Sequence, residues 1–102
     1  MSSEEIIAKL RAHEHELRAA GVTSLALFGS SARGEQREDS DVDVVVRLTD
    51  EARQGGFAYF GRLDSLNRRL REILQRPVDI VAEPVQKDRL RREIEKDQII
   101  AF

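Results

Sequence analysis

A chain of 102 residues has room for one core, and 40% hydrophobic residues with 6 glycines are the composition of an ordinary globular domain, not of a disordered tail. Seventeen Lys and Arg against 19 Asp and Glu leave a formal charge of −2, so no overall positive field draws the chain to nucleic acid or anionic lipid. Without cysteine there are no disulfides, thiolate metal sites or Cys nucleophiles, and neither a signal peptide nor a run of ~20 apolar residues is present, so the expectation is one cytoplasmic domain over residues 1–102 that binds neither membrane nor nucleic acid directly.

Ile6, Ile7, Leu10, Leu17 and Ala20 recur at helical spacing, with Ser2 and Glu5 as a capping box and Gly21 as the stop, which predicts one helix up to Gly21. Ser24 to Phe28 is a short apolar run ended by Gly29, hence a strand. The segment Ser30-Ser31-Ala32-Arg33 then makes a short helix, whose free N–H groups point back at Gly29 and Ser30. From Asp41 to Leu48 the residues alternate: Val42, Val44, Val46 and Leu48 share one strand face, and Asp41, Asp43, Val45 and Arg47 share the other. Thr49 to Gly56 reads as a surface loop.

Phe57, Phe60, Leu63, Leu66, Leu70, Ile73 and Leu74 form the apolar stripe of a helix to about Gln75, which Pro77 cannot continue. Val78 to Val81 is a third strand closed by Pro84, Lys87 to Asp97 a charged helix with Leu90 and Ile94 inward, and Ile99 to Phe102 a strand or docked end. This order defines an α/β (α+β) chain. A strand apolar on one face and acidic on the other predicts helices on one side of the sheet and an open second side, where a charged ligand binds.

Asp41 and Asp43 leave the same strand face with Cα atoms about 6.7 Å apart. Two carboxylates so close repel unless a cation lies between them, and hard oxygen ligands suit Mg²⁺ or Mn²⁺. Asp79 sits mid-strand between Val78 and Ile80, where a lone carboxylate is costly. Placed beside the second strand, it completes a cluster able to hold two metals about 3.5–4 Å apart.

Other chemistries are poorly supported. Gly29 to Gly34 begins like a P-loop, but Glu35 and Gln36 stand where Lys and Ser or Thr are required. Ser30 and Ser31 lack a nucleophile elbow, and His13 and His15 face nearly opposite sides of a helix. Arg33 has two readings, a phosphate contact or a tie to the acidic loop of Glu35, Glu38 and Asp39. The arginines from Arg68 onward alternate with Asp and Glu, as on a solvated face.

Gly29-Ser30, ten intervening residues, then Asp41-Val42-Asp43 resembles the G-S-x10-D-x-D signature of the polymerase-beta-like nucleotidyltransferases. The fuller string Gly29 to Glu35, with Ser40-Asp41-Val42-Asp43 and Val78-Asp79-Ile80-Val81, is similar to the minimal nucleotidyltransferase (MNT) subfamily over nearly the whole chain. The resemblance implies a small mixed sheet with helices mainly on one face and the active site on the other. It also implies transfer of a nucleoside monophosphate from a triphosphate, ATP, to an acceptor hydroxyl, with two Mg²⁺ ions. Carried over by position, Asp41 and Asp43 bind both metals, Gly29 and Ser30 hold the β and γ phosphates, and Asp79 binds the catalytic metal and helps deprotonate the acceptor.

The chain ends within the catalytic module, so another protein is expected to present the acceptor. MNT proteins are typically antitoxins of HEPN-domain toxins, which implies a tyrosine hydroxyl of a HEPN partner as the target, contacted through apolar residues such as Tyr59 and the tail Ile99 to Phe102. Two rival readings stay open: an antitoxin that neutralises its partner by binding alone, and a nucleotidyltransferase acting on a small molecule.

Overall fold

Ser2 starts the first helix as the capping pattern predicts, its Oγ accepting the Glu5 N–H at 3.2 Å. The computed structural model describes residues 2–34 and 40–102. Along them run α1 Ser3–Ala12, α2 Glu14–Ala19, β1 Val22–Leu27, α3 Gly29–Arg33, β2 Val42–Leu48, α4 Asp50–Arg53, α5 Phe57–Leu74, β3 Val78–Ala82, α6 Asp88–Asp97 and β4 Ile99–Ile100. The single helix expected up to Gly21 is thus divided at His13. Its apolar stripe of Ile6, Ile7 and Leu10 would continue at positions 13–14, where His and Glu offer nothing to bury. The His13 N–H turns to the Leu10 carbonyl at 3.1 Å, its Nδ1 lies 2.9 Å from the Lys9 carbonyl, and the chain restarts with Leu17 inward.

The sheet has the order β3-β2-β1-β4, with β1 antiparallel to β2 and β4, and β2 parallel to β3. Val42, Val44, Val46 and Leu48 are buried along one face of β2, as their alternation predicts. β1 begins at Val22, ahead of the predicted Ser24. A register shift between Val22 and Ser24 lets Val22 join Leu25 and Leu27 in the same core although strict alternation would turn it away. The tail resolves into both of its alternatives: Ile99 and Ile100 pair with Leu27 and Ala26, and Ala101 is buried, donating to the Leu25 carbonyl.

α5 buries Leu66, Leu70, Ile73 and Leu74, and Tyr59 and Leu63 pack in part on the same core. Their spacing of four, three, four and three from Tyr59 to Ile73 is a continuous stripe. Phe57 and Phe60 lie off it and are 94% and 67% exposed, which corrects their assignment to the core. Tyr59, one of the expected partner contacts, is half-buried against this core. The expected loop from Thr49 contains α4, capped by Thr49 Oγ1 on the Ala52 N–H at 3.1 Å, with Ala52 buried.

The main core lies between one sheet face and α1, α2 and α5. The second face is not wholly open, as the sequence suggested: Ile94 and Leu90 of α6 pack there on Ala26, Phe28, Val45 and Val81. Tertiary topology alone brings α6 to that side. Beyond it the same face carries Asp43.

Candidate active site

Because β2 and β3 run parallel with Asp43 opposite Asp79, the two side chains leave neighbouring strands, about 4.8 Å apart, on the same face. Asp41 lies two residues before Asp43, on the approach to β2. Asp41 and Asp79 are exposed and Asp43 is half-buried. Burial raises the Asp43 carboxyl above its ordinary value, the charges of Asp79, Asp41 and Glu93 raise it further, and Arg33 opposes them. The three predicted carboxylates therefore share one field. They do not form a closed ligand set: among the described residues no group of three or more Asp, Glu or His side chains is gathered to hold a metal.

Gly29 is where β1 gives way to α3. Its φ of +64° is unfavourable for other residues, and a Cβ there would lie 3.0 Å from Asp43 Oδ2. The half-buried Ser30 follows, so the start of α3 opens beside the Asp43 carboxylate. Gly34, at φ +73°, would meet nothing within 4 Å. Gly29→Ala and Gly34→Ala should therefore each lose about 1–2 kcal/mol in chemical denaturation from backbone strain. Only Gly29→Ala should also lower nucleotide affinity, and equal affinities in the two variants would contradict the close approach to Asp43.

Arg33 donates through Nη1 to Asp97 Oδ2 at 2.7 Å and so ties α3 to α6. Neither expected use covers this contact, and Glu35, Glu38 and Asp39 of the proposed loop tie lie outside the described residues. Two further residues escaped sequence reasoning. Glu93 adds negative charge to the Asp43 field from α6, and no local pattern could announce it, since only the packing of α6 turns it that way. Ser31 is fully buried, its Oγ accepting the Asp43 N–H at 3.0 Å, whereas the sequence offers no distinction between Ser30 and Ser31.

A mixed four-stranded sheet with paired carboxylates beside a glycine turn is the arrangement of a nucleotidyltransferase. The family model of the nucleotidyltransferase domain matches residues 8–101, and the chain belongs to that family, whose members are nucleotidyltransferase enzymes. It is 36% identical over 97 residues to a Methanocaldococcus jannaschii protein provisionally named a protein adenylyltransferase, covering 93% of each chain. To protein adenylyltransferase MntA of Thermococcus cleftensis it is 51% identical over 47 residues, which span 45% of this chain and 48% of that one. A solved structure provisionally described as a minimal nucleotidyltransferase superposes with a TM-score of 0.75 at 31% identity, over 97% of this chain and 95% of the other. A toxin–antitoxin structure with AMP-PNP shares the fold, with a TM-score of 0.67 at 22% identity over 100% of this chain and 73% of the other.

Proposed function

We propose that this nucleotidyltransferase transfers AMP from ATP to a tyrosine hydroxyl of a HEPN-domain toxin and thereby acts as its antitoxin. The observation that carries the reading is the register of Asp43 against Asp79 beside Gly29. The adenylyltransferase names of the relatives support AMP as the group moved. A neighbour of the same fold, described as an MNT antitoxin in complex with a tri-AMPylated Shewanella oneidensis HEPN toxin, supports the partner. A cytoplasmic location is part of this reading, since the proposed reaction consumes ATP.

Asp41, Asp43 and Asp79 suit two Mg²⁺ ions, or Mn²⁺, because their donors are hard oxygens and their mutual repulsion, seen at Asp43, is relieved by a cation. When bound, these ions neutralise charge on the attacking and leaving oxygens. Gly29 and Ser30 hold the β and γ phosphates at the start of α3, with Arg33 near enough to add positive charge. The acceptor oxygen attacks the α-phosphorus, and the bond from that phosphorus to the oxygen bridging to the β-phosphate breaks. The hydroxyl proton passes to the Asp79 carboxylate, and pyrophosphate leaves.

Ile99 pairs with Leu27, two residues before Gly29, so the exposed Ile99 and Ile100 stand at the site's end of the sheet and are the contact we assign to the partner. With α-labelled ATP and Mg²⁺, label should appear in the co-purified partner, and Ile99→Ser with Ile100→Ser should weaken the complex about tenfold or more. A chain that runs alone beside a HEPN protein and labels nothing contradicts the reading.

A further inference from the structure

We infer that Ser31 is a positioning residue of this active site: its buried hydroxyl fixes the backbone of Asp43 and thereby aims the carboxylate. The inference rests on the assignment of Asp43 to metal and nucleotide binding proposed above, and it adds a residue outside the Gly29-Ser30 and Asp41-Val42-Asp43 pattern.

The need for such a residue arises from the fold. β1 pairs with β2 as far as Leu27 opposite Val44, and then leaves the sheet to become α3. Asp43 is the next residue of β2 and loses the strand partner that would have taken up both of its backbone groups. One is still met, because the Phe28 N–H donates to the Asp43 carbonyl at 3.1 Å. The other, the Asp43 N–H, donates to Ser31 Oγ at 3.0 Å, and Ser31 is the one buried polar side chain among the described residues. Ser31 is itself held, since its carbonyl accepts from the hydroxyl of Ser3 at the start of α1. Phe28 just after the end of β1 and Ser31 of α3 thus hold the backbone of one carboxylate residue, and α1 holds Ser31 in turn. Gly29 lies against the Asp43 side chain from the same turn, so a shift of that backbone would move the carboxylate relative to Gly29 as well.

A hydroxyl serving only to stabilise α3 would affect stability and nothing else. A clamp on Asp43 must also affect ligand binding, because a site whose donors are displaced by a fraction of an ångström binds less well. In Ser31→Ala the Asp43 N–H has no acceptor. Amide hydrogen exchange at Asp43 should then rise about tenfold or more relative to Val45, and affinity for Mn²⁺ with a non-hydrolysable ATP analogue, read by the electron paramagnetic resonance of Mn²⁺, should fall about tenfold, the size of one hydrogen bond. Ser31→Thr keeps the hydroxyl and should keep the affinity even where its extra methyl lowers Tm. Leu10→Val, a core truncation in α1, should lower Tm without changing either readout. Should Ser31→Ala not fold, Ser31→Cys, with a much weaker acceptor at nearly the same size, carries the same expectations.

Unchanged Asp43 exchange and Mn²⁺ affinity in the alanine or cysteine variant, with wild-type binding intact, would overturn the clamp alone. Equal loss of affinity in Leu10→Val would overturn it too, by making the effect one of stability. If the wild-type protein binds no Mn²⁺ with the nucleotide, the metal assignment of Asp43 fails and this inference falls with it. That last result is distinguishable because it precedes any variant.

Discussion

Replacing Asp41 and Asp43 together by alanine should abolish Mg²⁺-dependent nucleotide binding while the metal-free protein melts at the same temperature as wild type or higher. Binding is lost because two of three donors disappear. The fold survives because neither side chain is part of a core and the backbone bonds that hold Asp43 do not involve its carboxylate. Stability holds or rises because of the direction in which Asp43 titrates. Its folded pKa is raised by burial and by the charges of Asp79, Asp41 and Glu93, so ionising it opposes folding. That destabilisation is absent below the ordinary carboxylate pKa of about 3.9 and is complete once pH exceeds the raised folded value. The advantage of the variant should therefore be greatest at neutral pH and vanish in acid, in melting curves recorded without divalent ions. Calorimetric titration with nucleotide and Mg²⁺ that is unchanged in the double variant would sink the metal-site assignment.

Asp79→Asn should separate the two halves of the proposed reaction. The amide keeps the shape of the side chain but is a weaker ligand and cannot take the acceptor proton, so transfer should slow by roughly 10²-fold or more. Nucleotide affinity should fall far less, since Asp41 and Asp43 remain. Both quantities are measurable in one preparation, by equilibrium nucleotide binding and by single-turnover transfer to the partner at saturating Mg²⁺. Transfer near the wild-type rate would reduce Asp79 to a strand residue.

Much of this site is legible in the sequence because it lies on strands whose period is short and regular. The alternation from Val42 to Leu48 assigns Asp43 to the face away from the core, and Asp79 between Val78 and Ile80 signals a carboxylate held in a strand for a purpose. Their adjacency was conditional on the two strands being neighbours, a condition the parallel pairing of β2 and β3 meets. Gly29 is legible as a turn residue, though its closeness to Asp43 Oδ2 is not. What the sequence hides is whatever depends on distant packing. α6 shows which residues face inward, Leu90 and Ile94, but not that they cover the second face of the sheet and bring Glu93 and Asp97 toward Asp43 and Arg33. The break at His13 is hidden for another reason, since no proline or glycine marks it and only the missing apolar position betrays it. Phe57 and Phe60 mislead because they are hydrophobic but out of phase: the four-three spacing back from Leu66 through Leu63 reaches Tyr59 and passes both phenylalanines by.

If the carboxylates on β2 and β3 move AMP onto a partner protein, the intact mass of that partner should report it. A HEPN-domain protein co-expressed with the wild-type chain should gain one or more AMP units. Co-expressed with the Asp41→Ala, Asp43→Ala variant it should keep its unmodified mass while still co-purifying. An unmodified partner in both preparations, held in a stable complex, would contradict the transfer and leave an antitoxin that acts by binding alone.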